Sequence, residues 1–212
     1  MNHWTTHLTG KFVVFDGPDG SGKSTQFARF LSFCRERGLD LCEVREPGGT
    51  AIGEQIRRVL LDPDNADMSL RCEMMLYMAS RSQLIEQVIR PALEARKLVL
   101  ADRFVSSTLA YQGTGGGMAQ DDIIRVARVA IEPYWPDLTV VFDVDEHVAL
   151  SRLNPLLDRM ELKGEVFHRR VREGFLHQAE NSPDTYLVID ASSDEDAVFQ
   201  ALLSGMESKF GS

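Results

Sequence analysis

The chain has 212 residues, room for one α/β domain but not comfortably for two. Hydrophobic residues make up 43% and charged residues 26%, ordinary for a soluble globular protein. The net charge of −9 argues against nucleic acid as the main partner, and no apolar run is long enough to cross a bilayer, so neither a nucleic acid nor a membrane is expected as a partner. The N-terminal stretch MNHWTTHLTG lacks the apolar core of a signal peptide. His3 and His7 lie four apart, but in a short segment expected to fray, and no metal is assigned to them. The three cysteines, Cys34, Cys42 and Cys72, match no metal-site spacing. They read as reduced structural thiols in a cytoplasmic protein.

Short β-rich apolar runs alternate with helical patterns. Lys11–Phe15 reads as a buried strand. Lys23–Arg37 follows as a helix with Phe27, Phe30, Leu31 and Cys34 on one face and Gly38 as its stop. Leu39–Val44 is the second strand. Thr50 caps a helix with Ile52, Ile56, Val59 and Leu60 facing inward, ended by Pro63. Ser69–Arg90 is a long helix closed by Pro91. Strands follow at Leu98–Ala101, Leu138–Val144 and Tyr186–Ile189, and Ser192 with Glu195 resembles a capping box opening the last helix. This alternation predicts a three-layer α/β fold, a five-stranded parallel sheet with helices on both faces. The polar motifs fall just after strands one, two, three and five, at the carboxyl edge where such sheets bind ligands.

The motif after the first strand is Gly17-Pro18-Asp19-Gly20-Ser21-Gly22-Lys23-Ser24, followed by Thr25. It fits the phosphate-loop pattern G-x-x-x-x-G-K-[ST], set between a strand and a helix as that pattern requires. Its glycines let several N–H groups converge, and the helix that follows adds its positive end. Lys23 should reach the β- and γ-phosphates of a nucleoside triphosphate, most simply ATP, and Ser24 should offer its hydroxyl to Mg²⁺. No N-K-x-D guanine motif is present, and the chain is short for a motor or helicase module. A small kinase acting on a small molecule is the class that remains.

Further motifs follow at Arg45-Glu46-Pro47-Gly48-Gly49-Thr50, at Asp102-Arg103, and at Ser107-Thr108-Leu109-Ala110-Tyr111-Gln112-Gly113. Tyr77 and Arg81 share one helix face. Later stretches read DRME at 158–161 and FHRRVREGF at 167–175. In order and in ordinary spacing, these motifs resemble the thymidylate kinase family over roughly residues 11–192. The resemblance implies a P-loop kinase fold and transfer of the γ-phosphoryl of ATP to the 5′-phosphate of dTMP, with Mg²⁺, in a homodimer packed through helices. It implies that Arg45 and Arg57 approach the acceptor phosphate. Asp102 and Arg103 would lie near Mg²⁺ and the phosphates. Tyr77 would stack on thymine, while Arg81, Ser107, Thr108 and Gln112 contact the base. Tyr111 would crowd the sugar's 2′ position, and Asp19 would meet the acceptor sugar. Read alone, Tyr77 is as good a core residue and Arg57 as good a surface arginine. The physical demand agrees with the family's pattern. An acceptor phosphate needs no strong base; it needs cations to bring two polyanions together.

The chain departs from the pattern in two places. Some family members carry an arginine in the phosphate loop where this chain has Gly20, and Asp16 replaces the usual glutamate. A lid at about 151–165, within one domain of core 11–210, offers only Arg152, Arg159 and Lys163. Arg152 reads as closing the preceding helix. Arg159 is expected over the transferred phosphoryl, with Asp158 or Glu161 assisting near Mg²⁺. Arg169, Arg170 and Arg172 are the alternatives. Another nucleoside monophosphate as acceptor, or a low-turnover nucleotide-binding regulator, are the rival functions.

Overall fold

The computed structural model describes residues 3–145, 148–149, 152 and 159–211. Five parallel strands, β1 (Phe12–Asp16), β2 (Leu41–Arg45), β3 (Leu98–Asp102), β4 (Leu138–Asp143) and β5 (Tyr186–Asp190), form one sheet in the order β2-β3-β1-β4-β5. Register runs Phe12 to Val99 on one side of β1 and Val13 to Leu138 on the other. β1 is buried along its whole length, as a central parallel strand must be. Val13 and Phe15 face a core built with Phe27, Phe30, Leu31 and Cys34. Those four lie on α1 (Lys23–Glu36), and Val198, Phe199 and Leu202 of the last helix close the same layer. Phe12 and Val14 face the opposite core, with Met74 and Met78 from α3 (Leu70–Leu84). The period-2 alternation of β1 thus feeds two separate helical layers.

The chain leaves β1 toward β2 and, after β3, crosses to β4 on the other side, so the order reverses around β1. That reversal opens a crevice at the carboxyl ends of the strands.

Several expected helices differ in detail. Thr50 caps α2 (Ala51–Leu61) by accepting from Gly53 N at 2.9 Å, but Ile52 and Val59 are exposed and Leu60 is the side chain that goes inward. The long helix does not end at Pro91. It passes through a π turn at Ile85–Ile89 into α4 (Arg90–Glu94). Proline has no N–H to donate and crowds the carbonyl one turn back; the π turn widens the backbone just there, and the helix carries on. A second π turn, Leu109–Gly115, follows the short α5 (Val105–Thr108). Two further helices are α6 (Gln120–Ile131) and α7 (Glu165–Asn181). The last helix, α8 (Glu195–Phe210), is capped by Asp194, which accepts from Asp196 N and Ala197 N, rather than by Ser192. A carboxylate at the positive end of a helix outcompetes a hydroxyl two residues earlier. Of the lid at about 151–165, Asp158 and the other residues of 151 and 153–158 lie outside the described residues.

The three cysteines are unpaired, with Cys34 buried, and burial pushes its thiol up to about 12. Among the described residues no helix is long and apolar enough to cross a membrane.

Candidate active site

A cleft of about 730 Å³ lies at the carboxyl edge of the sheet and gathers residues far apart in sequence. The whole stretch Pro18–Thr25 lines one side. Gly17 and Gly20 hold φ of 139° and 77°, values closed to most side chains. A Cβ at Gly20 would also strike the carbonyl oxygen of Ala149. α1 starts at Lys23, so the N–H groups of Lys23 and Ser24 have no intrahelical acceptor and sit at the helix's positive end. Lys23 is buried and ion-paired with Asp102, at the end of β3. Burial lowers its ammonium pKa, and Arg103 adds to that, while Asp102 opposes it.

Arg103, one residue beyond β3, is the hub of the cleft floor. Its backbone φ is 71°, in the left-handed region that non-glycine residues seldom occupy. Its guanidinium donates to Ser107 Oγ at 3.0 Å and to the Gly17 carbonyl at 3.3 Å, and pairs closely with Asp19. Asp19 also accepts from Tyr111 Oη at 2.7 Å. Burial raises the Asp19 pKa, but Arg103, the Tyr111 hydroxyl and Lys23 together hold it below the ordinary carboxylate value. Beneath them Asp16, fully buried, accepts from Ser106 Oγ at 2.6 Å and Ser107 Oγ at 2.7 Å. Burial raises its pKa despite Arg103. Asp16, an aspartate where the family's pattern has glutamate, is thus the anchor that sets Ser107 under Arg103.

The opposite wall comes from the loop after β2 and from α2. Arg45 donates to Glu54 Oε1 at 2.9 Å, and Gly49 N donates to the same oxygen at 2.8 Å. Arg57 donates to the Pro47 carbonyl at 2.9 Å. Both arginines line the cleft, as do Tyr77, Ser107, Thr108, Tyr111, Gln112 and Glu161. Arg81 does not. It is buried behind the wall, where its Nη1 donates to Thr108 Oγ1 at 3.1 Å and its Nε to Glu46 Oε2 at 2.7 Å. Glu46 lines the cleft and was not picked out from the sequence. Its Oε1 is buried without a hydrogen-bond partner, and burial pushes its pKa up to about 7 against the pull of Arg81.

The lid expectation needs correction. Arg159 is buried away from the cleft, its Nη1 2.6 Å from Glu73 Oε2 and its Nε donating to the Leu60 carbonyl at 2.7 Å. A buried guanidinium must be paired, and Glu73 on α3 is the carboxylate within reach. Met160 and Glu161, its neighbours, do line the cleft. Arg152 lines it too and donates to the Ala191 carbonyl at 3.2 Å, on the phosphate-loop side. Arg169 and Arg170 are exposed, and Arg172 is taken up by Asp143.

The profile of the family described as thymidylate kinase matches residues 15–202. The chain belongs to the thymidylate kinase family. It is 41% identical over 203 residues to a thymidylate kinase of Geobacillus sp. (strain WCH70), covering 94% of this chain and 97% of that one. It is 43% identical over 198 residues to the thymidylate kinase of Exiguobacterium sp. (strain ATCC BAA-1283 / AT1b), covering 92% and 93%. The crystal structure of thymidylate kinase from Ehrlichia chaffeensis superposes with a TM-score of 0.77 at 30% identity, covering 92% of this chain and 97% of that one. The five-stranded parallel sheet with helices on both faces is therefore the thymidylate kinase fold. The phosphate loop of this chain has glycine at position 20, and Arg152 lines the same cleft as the loop.

Proposed function

We propose that the chain transfers the γ-phosphoryl of ATP to the 5′-phosphate of dTMP, giving dTDP. The observation that carries this is the joining, in one cleft, of a phosphate loop to a second wall of arginines and base-sized side chains. The donor side is Gly17 to Thr25, with Lys23 on the β- and γ-phosphates and Arg152 near the loop. The acceptor side has Arg45, Arg57 and Arg103 for the phosphate, Asp19 and Tyr111 for the sugar, and Tyr77, Ser107, Thr108 and Gln112 for the base. Arg81 acts from behind Thr108. Planar guanidinium groups suit bidentate contact with phosphate oxygens. Catalysis is then alignment of two phosphates and neutralisation of their charge, with no general base.

Ser24 and Asp102 fit a Mg²⁺ site. Ser24 is an exposed hydroxyl at the loop's end, and Asp102 is a cleft carboxylate. No group of three or more metal-ligating side chains exists among the described residues. That suits an ion taking one or two protein oxygens and the rest from phosphates and water. Held there by Ser24 and Asp102, such an ion would supply positive charge to offset that of the phosphates. Glu161 lines the same cleft and is the reserve carboxylate.

The chain works as one domain with core 11–210 and a lid at about 151–165, in the cytoplasm, as a homodimer. Exposed Ile52 and Val59 on α2, Met75 on α3 and Val129 on α6 support the dimer, because these helices pack side by side. Sedimentation of the chain and of an I52E/V59E variant tests it; the wild type should run as a dimer and the variant as a monomer.

Coupled ADP release with dTMP, dUMP, dCMP and AMP tests the activity. The highest kcat/KM is expected with dTMP. A clear AMP preference would favour another acceptor, and tight binding without product would favour a regulator.

A further inference from the structure

We propose that Glu73 is a positioning residue that fixes the hydrogen-bond polarity of the base-side wall, so that the wall accepts a thymine or uracil edge and refuses a cytosine edge. The inference rests on the acceptor reading above. Glu73 lies in the first turn of α3, almost fully buried, and does not line the cleft. Three groups converge on its carboxylate. Gln112 Nε2 donates at 2.7 Å, Arg159 Nη1 lies at 2.6 Å, and Lys163 Nζ donates at 3.0 and 3.1 Å to the two oxygens. Burial alone would raise its pKa, but the Gln112 amide and the two cations outweigh that and keep it below the ordinary value.

An ionised carboxylate only accepts hydrogen bonds. Gln112 must therefore turn its NH₂ toward Glu73. Its Oε1 accepts no hydrogen bond among the described residues, and Gln112 lines the cleft. Gln112 is left to offer ligand an acceptor. Thr108, one helical turn earlier and also in the lining, is set the opposite way. Its Oγ1 accepts from Arg81 Nη1 at 3.1 Å, and a guanidinium cannot accept, so the hydroxyl proton is free to donate. The wall thus carries one donor and one acceptor. Thymine and uracil carry the matching pair, the O4 acceptor beside the N3–H donor. Cytosine carries the reverse, an amino donor beside the N3 acceptor. Neither Thr108 nor Gln112 can invert without opposing a buried charge, which makes the rejection energetic rather than steric.

The test is kcat/KM for dTMP and for dCMP in wild type, Glu73→Gln and Lys163→Met. A neutral amide at position 73 can donate as well as accept, so Gln112 can flip. The dTMP:dCMP ratio should fall by about tenfold in E73Q, the value of one oriented hydrogen bond. K163M removes a cation from Glu73 without releasing Gln112, and its ratio should equal that of wild type. If E73Q does not fold, the E73Q/R159M double variant removes the stranded guanidinium and is read the same way. An equal fall for both acceptors, with the ratio unchanged, would mean that Glu73 only holds the structure together, and would overturn the proposal. Wild type that turns over no pyrimidine monophosphate would overturn the kinase reading instead, so the two failures are distinct.

Discussion

Arg172 grips Asp143 with both arms of its guanidinium: Nε donates to Oδ1 at 2.6 Å and Nη2 to Oδ2 at 2.9 Å. Asp143 ends β4 and Arg172 lies in the middle of α7, so the pair ties the motif-bearing helix to the sheet. From sequence, Arg172 was a candidate to meet the transferred phosphoryl. The structure gives it a carboxylate instead. Replacing it with alanine should cost about 1–2 kcal/mol, since the pair is charge-assisted and only partly exposed. For a chain of this size that is a Tm lower by about 2–8 °C. Turnover with dTMP, measured well below that Tm, should stay within about twofold of wild type. An unchanged Tm with turnover down by tenfold or more would restore Arg172 to the chemistry.

Arg159 makes the same point from inside the protein. Its charge is satisfied by Glu73 and the Leu60 carbonyl. Removing one partner of a buried pair is destabilising because it strands the other. Here Lys163 and Gln112 remain on Glu73, which softens the loss. Arg159→Ala should therefore lower the urea midpoint by the equivalent of roughly 1–3 kcal/mol. Its kcat should remain within about fivefold of wild type. A hundredfold fall in kcat in a stably folded variant would show that Arg159 leaves Glu73 to reach the phosphoryl during the reaction.

The fold was legible because its strands are short apolar runs of one kind: all five appear in the structure, shifted by at most a residue or two at their ends. Tertiary context decided the rest. Ile52 and Val59 have the spacing of an inward face, yet α2 buries Gly53, which packs on the Gly48 carbonyl, and Leu60, and leaves both exposed. Pro91 stops an ideal helix but not one that can open a π turn before it. In the cleft, the contiguous phosphate loop and Arg103 were readable because motif and strand end coincide. Glu46 and Glu73 were not. Their significance lies in which side chains 35 and 39 residues away they meet, and no local pattern records that. For the same reason the pairing of Arg159 with Glu73, 86 positions away in the chain, has no signature in the sequence.

Glu46 offers a prediction in pH. Burial raises its pKa from 4.5 to about 7; Arg81 pulls the other way, and Asp16 adds to the rise. Between those values the folded state holds a proton that the unfolded state has lost. Stability from this group is therefore full below about pH 4.5 and is lost as the pH rises through about 7. Glu46→Gln removes the titration. The difference in unfolding free energy between wild type and E46Q, followed by urea melts from pH 5 to 8, should move against wild type as the pH rises. A difference that stays flat across that range would mean that Arg81 holds Glu46 ionised throughout.

Arg103 combines a strained backbone with a central charge, and substitutions can separate the two. Its φ of 71° is costly for any side chain except glycine, while its guanidinium spans Asp19, Ser107 and the Gly17 carbonyl. Arg103→Lys keeps the charge but loses the planar fork, and kcat/KM with dTMP should fall by about tenfold or more. Arg103→Ala should cost about a hundredfold to a thousandfold, as for loss of a group that stabilises transition-state charge. Arg103→Gly should be as inactive as R103A, yet more stable than it by about 1 kcal/mol, because glycine accepts the left-handed backbone freely. Equal stability of R103G and R103A in chemical denaturation would mean that the strain is relaxed once the guanidinium is gone, so that the side chain's own contacts, and not the turn after β3, force this residue into the left-handed region.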